Sequence, residues 1–112
     1  MGKFVKGDVV VINFPFSDLT GAKRRPALVV ADLDGDDIIL CQVTGQSKID
    51  NYTIKLGQGD YVSGSLKVES AVRPNKLFTA DENVILYTIC KITDAKLDDV
   101  IDAVVKLIKS DS

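Results

Sequence analysis

The stretch Gly7-Asp8-Val9-Val10-Val11-Ile12-Asn13-Phe14-Pro15 decides the fold class. It is dense in β-branched residues, opens after a glycine and closes on a proline. Such a run, without polar alternation, reads as a strand buried on both faces. A second apolar strand follows over Pro26–Ala31, and Pro26 is expected at its first residue or on an edge because it has no N–H for a ladder. Between the two, residues Pro15–Arg24 carry proline, serine, aspartate, threonine and glycine, the composition of a loop.

Working outward, Asp34-Gly35 stands between two apolar runs, the strongest short hairpin signal, and a third strand spans Asp37–Thr44. Asp32, Asp34, Asp36 and Asp37 read as a solvated turn. A calcium loop would need glutamate at the twelfth position from Asp32, which is Val43. Gly45–Gly64 is polar, with one short strand around Tyr52-Thr53-Ile54-Lys55. Leu66–Val72 and Val84–Ile92 read as further strands, with a turn or short helical piece near Thr79-Ala80-Asp81. Leu97, Val100, Ile101, Val104, Val105 and Ile108 then recur at three and four residues, an amphipathic helix that Thr93 or Asp94 would cap. Six or seven short strands and one C-terminal helix, without repeats or linkers, make a mainly β (α+β) fold. The architecture expected is a small, partly closed barrel forming a single domain over 1–112.

Composition removes whole classes of chemistry. The 112 residues contain no histidine and two cysteines, which excludes imidazole acid–base catalysis, Ser-His-Asp and Cys-His nucleophiles and His/Cys zinc sites. Cys41 and Cys90 lie inside apolar runs and read as buried, reduced thiols. Neither a signal peptide nor a membrane span is apparent, so a soluble, cytoplasmic protein is expected. With a formal net charge of −2, any polyanion would have to meet a local positive patch.

The informative cations are Lys23-Arg24-Arg25-Pro26. A solvated charge run is the ordinary reading of three consecutive cations. Against it, Arg25 sits where loop meets strand, and a guanidinium on a rigid element presents a bidentate fork suited to phosphate. Phe14, Phe16 and Tyr52 offer stacking faces for unpaired bases, although core packing accounts equally well for Phe16 and better for Phe14.

The opening run through Ser17-Asp18, followed by Lys23-Arg24-Arg25-Pro26-Ala27-Leu28-Val29-Val30, closely resembles the start of the PemK/MazF (Kid-like) toxin family. The strand ending in Val43-Thr44 with Gln46 after it, Glu69-Ser70 and the terminal helix follow in the family's order, more loosely after Lys48. The resemblance implies an SH3-like barrel and a homodimer. It also implies a type II toxin that cuts single-stranded RNA, chiefly mRNA, at short motifs, and whose antitoxin lays a disordered tail in the RNA groove. On it, the catalytic arginine falls on Arg25, the catalytic threonine on Thr44, and Glu69 is the family-consistent carboxylate. Substrate contacts would come from Phe16, Ser17, Asp18, Lys23, Arg24, Gln46, Ser70 and Arg73.

Chemistry suits these assignments. Attack by a ribose 2′-OH needs a proton acceptor, charge stabilisation on the phosphorane and a donor to the leaving oxygen. Arg25, always protonated, would stabilise the phosphorane, and Thr44 would fix a non-bridging oxygen. Sequence leaves the base open between Glu69 and the arginine itself, and the chemistry calls for no metal or other cofactor. The competing reading is a non-catalytic barrel module, a gyrase-inhibitor-like toxin or an RNA or peptide binder, since such barrels host many functions.

Overall fold

A computed structural model describes residues 4–15, 22–45 and 50–110, with the side chains of residues 14, 15, 22 and 23 outside that description. Its strands are β1 (Asp8–Pro15), β2 (Ala22–Asp32), β3 (Asp37–Gly45), β4 (Ile54–Leu56), β5 (Tyr61–Ser63), β6 (Ser70–Asp81) and β7 (Ile85–Ile92), followed by helix α1 (Asp94–Lys109). They form one seven-stranded sheet in the order β4-β6-β3-β2-β1-β7-β5, antiparallel throughout. The sheet curls into a half-barrel. Its two edges, β4 and β5, are three residues long, and such short edges offer little template for unwanted pairing.

The apolar runs are buried on both faces, as their composition requires. Val9, Leu28, Cys41, Val43, Val72 and Ile92 face one cluster, which α1 covers with Leu97 and Val100. Their strand neighbours Val10, Ala27, Val29 and Leu40 face a second cluster, closed by Ile12, Ile38 and Ile85 with Phe4, Phe78 and Ala80 packed against it. Alternation thus sends successive residues of β1 and β2 into different cores. Both cysteines are free and buried, and burial pushes the thiol pKa of Cys41 up to about 12 and that of Cys90 to about 11.

Bulges bend the sheet. The β3–β6 register runs Asp37↔Asp81 to Cys41↔Leu77 and then jumps to Gln42↔Arg73, leaving Pro74, Asn75 and Lys76 looped out of β6. A proline is tolerated at such a break, and the break lets β6 turn a corner. Its first half flanks the end of β3, while its second half carries Phe78 and Ala80 over the second cluster.

Several local expectations are corrected by pairing that sequence periodicity does not see. Lys23 and Arg24 belong to β2 rather than a loop, because β2 begins at Ala22 and pairs Lys23 with Phe14. Of the two places expected for Pro26, the first residue is not taken: it lies inside β2 opposite Val11, at an edge-like position where the described β3 pairing stops. The β2–β3 register stops at Ala27, and among the described residues β1 is the strand that pairs with β2 beyond the proline. Tyr52 and Thr53 form a turn ahead of β4 rather than part of a strand. The strand expected from Leu66 starts at Ser70, and the short helical piece is a 3-10 turn over Glu82–Val84.

Other expectations hold. Gly35, at φ +80°, makes the β2–β3 turn, a conformation that favours glycine. Thr93 caps α1 by accepting the Lys96 N–H at 3.2 Å. Lys96 in turn pairs with Asp60 at 3.4 Å, tying the 3-10 turn Gln58–Asp60 to the helix.

Gly64, just after β5, combines φ +65° with a close approach to β7. A Cβ there would stand 2.8 Å from the Ile89 carbonyl oxygen. The left-handed conformation alone costs an L-residue roughly 1–2 kcal/mol, and the backbone contact adds to it. Gly64→Ala is therefore expected to lower the urea midpoint by at least that equivalent at unchanged m-value, whereas Gly59→Ala, which meets nothing within 4 Å, should shift it far less.

Candidate functional site

The end of the sheet around β2, β3, β6 and β4 collects the chemistry. Arg25 pairs with Ile12 across β1–β2. Thr44 pairs with Ala71 across β3–β6, and Ala71 with Lys55 across β6–β4. The β2–β3 register, Val29↔Leu40, Leu28↔Cys41 and Ala27↔Gln42, stops two residues short of Arg25. Continued at the same offset, it sets Arg25 opposite Thr44. Arg25 shares strand parity with Ala27 and Val29, and Thr44 with Gln42 and Leu40, so both residues belong to one face of the sheet. Ile12, Arg25, Thr44, Ala71 and Lys55 thus form one cross-strand row. Ala27, Gln42 and Arg73 form the next.

Pro26, which has no N–H to give, stands where the described β2–β3 register stops, adjacent to Arg25. Both residues are half-buried, and the Arg25 Nε is withdrawn from solvent, which limits the freedom of the guanidinium. A partly desolvated, positioned cation interacts more strongly with an anion than a solvated one does.

Arg73 is held from the other side. Its Nη2 donates to Asp50 Oδ2 at 3.3 Å, and its side chain is only 18% exposed. Asp50 also accepts the Tyr52 N–H at Oδ1, at 2.9 Å. That backbone bond, with the Arg73 guanidinium second, holds the Asp50 carboxyl below the usual carboxylate range. Around the row, Arg25, Lys55 and Arg73 stand against Asp50 among the described residues. The face is locally positive although the chain as a whole is acidic.

The remaining sequence candidates divide. Glu69 is exposed and immediately precedes β6, lining a cleft of about 640 Å³ with Lys55, Gln58, Tyr61 and Lys67. It stands two residues before Ala71, beside the row rather than in it. Ser70 is buried, 7% exposed, and its hydroxyl donates to the Val68 carbonyl at 3.0 Å, so it turns away from that face. Arg24 is exposed and pairs with Asn13; alternation gives it the face opposite to Arg25. Lys23 has the parity of Arg25, but only its backbone is described. Phe16, Ser17, Asp18 and Gln46 lie outside the described residues.

Sequence reading passed over Lys55, Gln42 and Asp50. Lys55 carries a signal of a kind, a lone cation in a short strand. Its row becomes visible only once β4 pairs with β6.

A family model for the PemK-like, MazF-like toxin of type II toxin–antitoxin systems matches residues 5–108. No curated protein sequence matches the chain significantly. Among solved structures, the chain is similar to an endoribonuclease from a mycobacterial species, with a TM-score of 0.73 at 15% identity, covering 100% of this chain and 97% of that one. It is also similar to an endoribonuclease in complex with its cognate antitoxin from a mycobacterial species, with a TM-score of 0.69 at 17% identity over 96% and 95% of the two chains. For MazE–MazF from Deinococcus radiodurans the TM-score is 0.70 at 21% identity, over 93% of each chain. At these identities the solved structures speak for the fold, and the matched model speaks for the family. The chain belongs to the PemK-like, MazF-like toxins of type II toxin–antitoxin systems.

Proposed function

We propose that the protein is a sequence-selective endoribonuclease toxin acting as a single domain on single-stranded RNA in the cytoplasm. The scissile phosphodiester lies between Arg25 and Thr44. The ribose 2′-oxygen attacks phosphorus, the bond to the 5′-oxygen breaks, and the products end in a 2′,3′-cyclic phosphate and a 5′-hydroxyl. The 2′-OH proton passes to a base, with Glu69 as the carboxylate at hand, and the departing 5′-oxygen takes up a proton. Arg25 stabilises the dianionic phosphorane with a preorganised charge, and Thr44 donates its hydroxyl to a non-bridging oxygen.

The observation that carries this reading is the row itself. By the β2–β3 register continued past Ala27↔Gln42, a half-buried guanidinium and a half-buried hydroxyl share one face and stand opposite each other. The flanking Lys55 supplies positive charge for an adjacent phosphate, a contact that positions the strand without reading its sequence. Because the attacking nucleophile belongs to the substrate, the step needs no metal-bound water. An antitoxin segment carrying acidic and apolar side chains would cover this same face, and the active species would be a homodimer. A mycobacterial relative solved in complex with its cognate antitoxin and MazE–MazF from Deinococcus radiodurans support an antitoxin as a partner.

The test is incubation with mixed-sequence single-stranded RNA in excess EDTA. Discrete fragments bearing cyclic-phosphate ends are expected. Retention of RNA without fragments would instead assign the fold to a non-catalytic binding module.

A further inference from the structure

Tyr52 and Tyr87 are each 51% exposed, and Tyr52 is the one that stands on a hydrogen-bonded turn beside the row. The backbone beneath it is firmly held. The Asp50 carboxylate accepts the Tyr52 N–H at 2.9 Å, and the Asp50 carbonyl accepts the Thr53 hydroxyl at 3.0 Å. It also accepts the Thr53 N–H at 3.4 Å. The remaining carboxylate oxygen of Asp50 receives Arg73 Nη2 at 3.3 Å, across 23 residues of sequence. Arg73 stands in β6 opposite Gln42, one row from Thr44. The β4–β6 register, Ile54↔Val72, continued by one step sets Thr53 beside Arg73. The braced turn that carries this exposed ring therefore adjoins β4 and the Arg73 end of β6, on the flank of the Arg25–Thr44 row.

A rigid aromatic surface bordered by cations suits an unpaired nucleobase with its phosphate. Stacking supplies the first contact and charge the second, and neither depends on base identity. We propose that the turn Asp50–Thr53 is a stacking platform. Tyr52 receives a base flanking the cleaved phosphodiester, and Arg73 is the positioning residue that braces the turn through Asp50. This rests on the endoribonuclease reading. It assigns Arg73 a different task from a direct phosphate contact, since the guanidinium edge nearest the turn is already engaged by a carboxylate.

The experiment is an anisotropy titration of the full-length protein with a labelled, random-sequence single strand of DNA, which lacks the 2′-OH and is not cut. Tyr52→Ala is expected to weaken binding roughly 5- to 100-fold, the range for loss of one base–aromatic stack, and Tyr52→Phe to restore it. Asp50→Asn and Arg73→Gln should each reproduce part of that loss, yet add little to it in a double variant with Tyr52→Ala, because they act through the ring. Full additivity would overturn the bracing role, as expected of Arg73 holding phosphate directly. Unchanged binding by Tyr52→Ala, with RNA cleavage abolished by Arg25→Ala, would overturn the platform and leave the endoribonuclease reading standing. Unchanged binding by Tyr52→Ala, with undiminished RNA cleavage by Arg25→Ala, would overturn the two together. Tyr52 is exposed, so its variants should keep the wild-type urea midpoint, which separates loss of the platform from loss of the fold.

Discussion

Arg25→Ala is expected to reduce RNA cleavage by at least about 10²–10³-fold, the size of effect seen when one preorganised stabiliser of a developing oxyanion is removed. The phosphorane carries one more negative charge than the bound phosphodiester, so a charge facing it contributes more to the transition state than to binding. The loss should therefore fall mainly on kcat, with a smaller rise in KM. Arg25→Lys should recover only part of the rate. It keeps the charge but replaces a planar fork with a point donor on a flexible stem. Stability should change little, since Arg25 is half-buried at the mouth of the sheet rather than within either apolar cluster. Single-turnover cleavage of a defined RNA, paired with urea melts of the same variants, checks both halves. Undiminished cleavage by Arg25→Ala would remove the residue from the mechanism.

The second large effect is on the fold. Leu28 is 0% exposed, lies on a central strand between Val9 and Cys41, and belongs to the cluster that α1 covers. Leu28→Ala removes three buried carbons and leaves a cavity that strands fixed on both sides cannot collapse to fill. The expected cost is about 2–5 kcal/mol. That is a large share of the roughly 5–15 kcal/mol that holds an ordinary domain. Leu86→Ala, at a side chain 40% exposed on β7, should cost less than about 1 kcal/mol. Urea midpoints of the two variants provide the comparison. Because Leu28 is three residues from Arg25 on the same strand, destabilising it should also lower cleavage near the melting temperature while leaving the rate nearly intact in the cold.

Much of this was legible before any coordinates. The β-branched runs Val9–Ile12 and Leu28–Val30 could satisfy their side chains only as strands with two covered faces, and each run does feed two apolar clusters. Asp34-Gly35 and the three-and-four spacing from Leu97 onward are local signals, and local signals survive folding well. Arg25 stands out in the sequence as a cation fixed ahead of Pro26, whereas Thr44 becomes a candidate only through the resemblance to the PemK/MazF family.

What escaped was set by partners distant in the chain. Tyr52-Thr53 alternates like a strand, but the carboxylate of Asp50 captures the Tyr52 N–H and turns the backbone instead. Pro26 reads as either a first residue or an edge position, and the pairing settles which: β1 carries the strand past it, while the described β3 register stops beside it. Ser70 resembled a polar contact, yet its hydroxyl is held inward by Val68. Lys55 and Arg73 join the site only through the register of β6, whose looped-out Pro74–Lys76 no periodicity encodes.

In the proposed mechanism one phosphodiester is gripped by the Arg25 guanidinium and the Thr44 hydroxyl together. A crystal structure of the protein with an RNA fragment carrying a single 2′-deoxy nucleotide at the mapped cleavage point tests it most directly. The result required is a phosphate with its non-bridging oxygens within hydrogen-bonding distance of both side chains and the blocked 2′ position in line with the 5′-oxygen. A fragment bound with that phosphate away from either residue, or on the other face of the sheet, would contradict it.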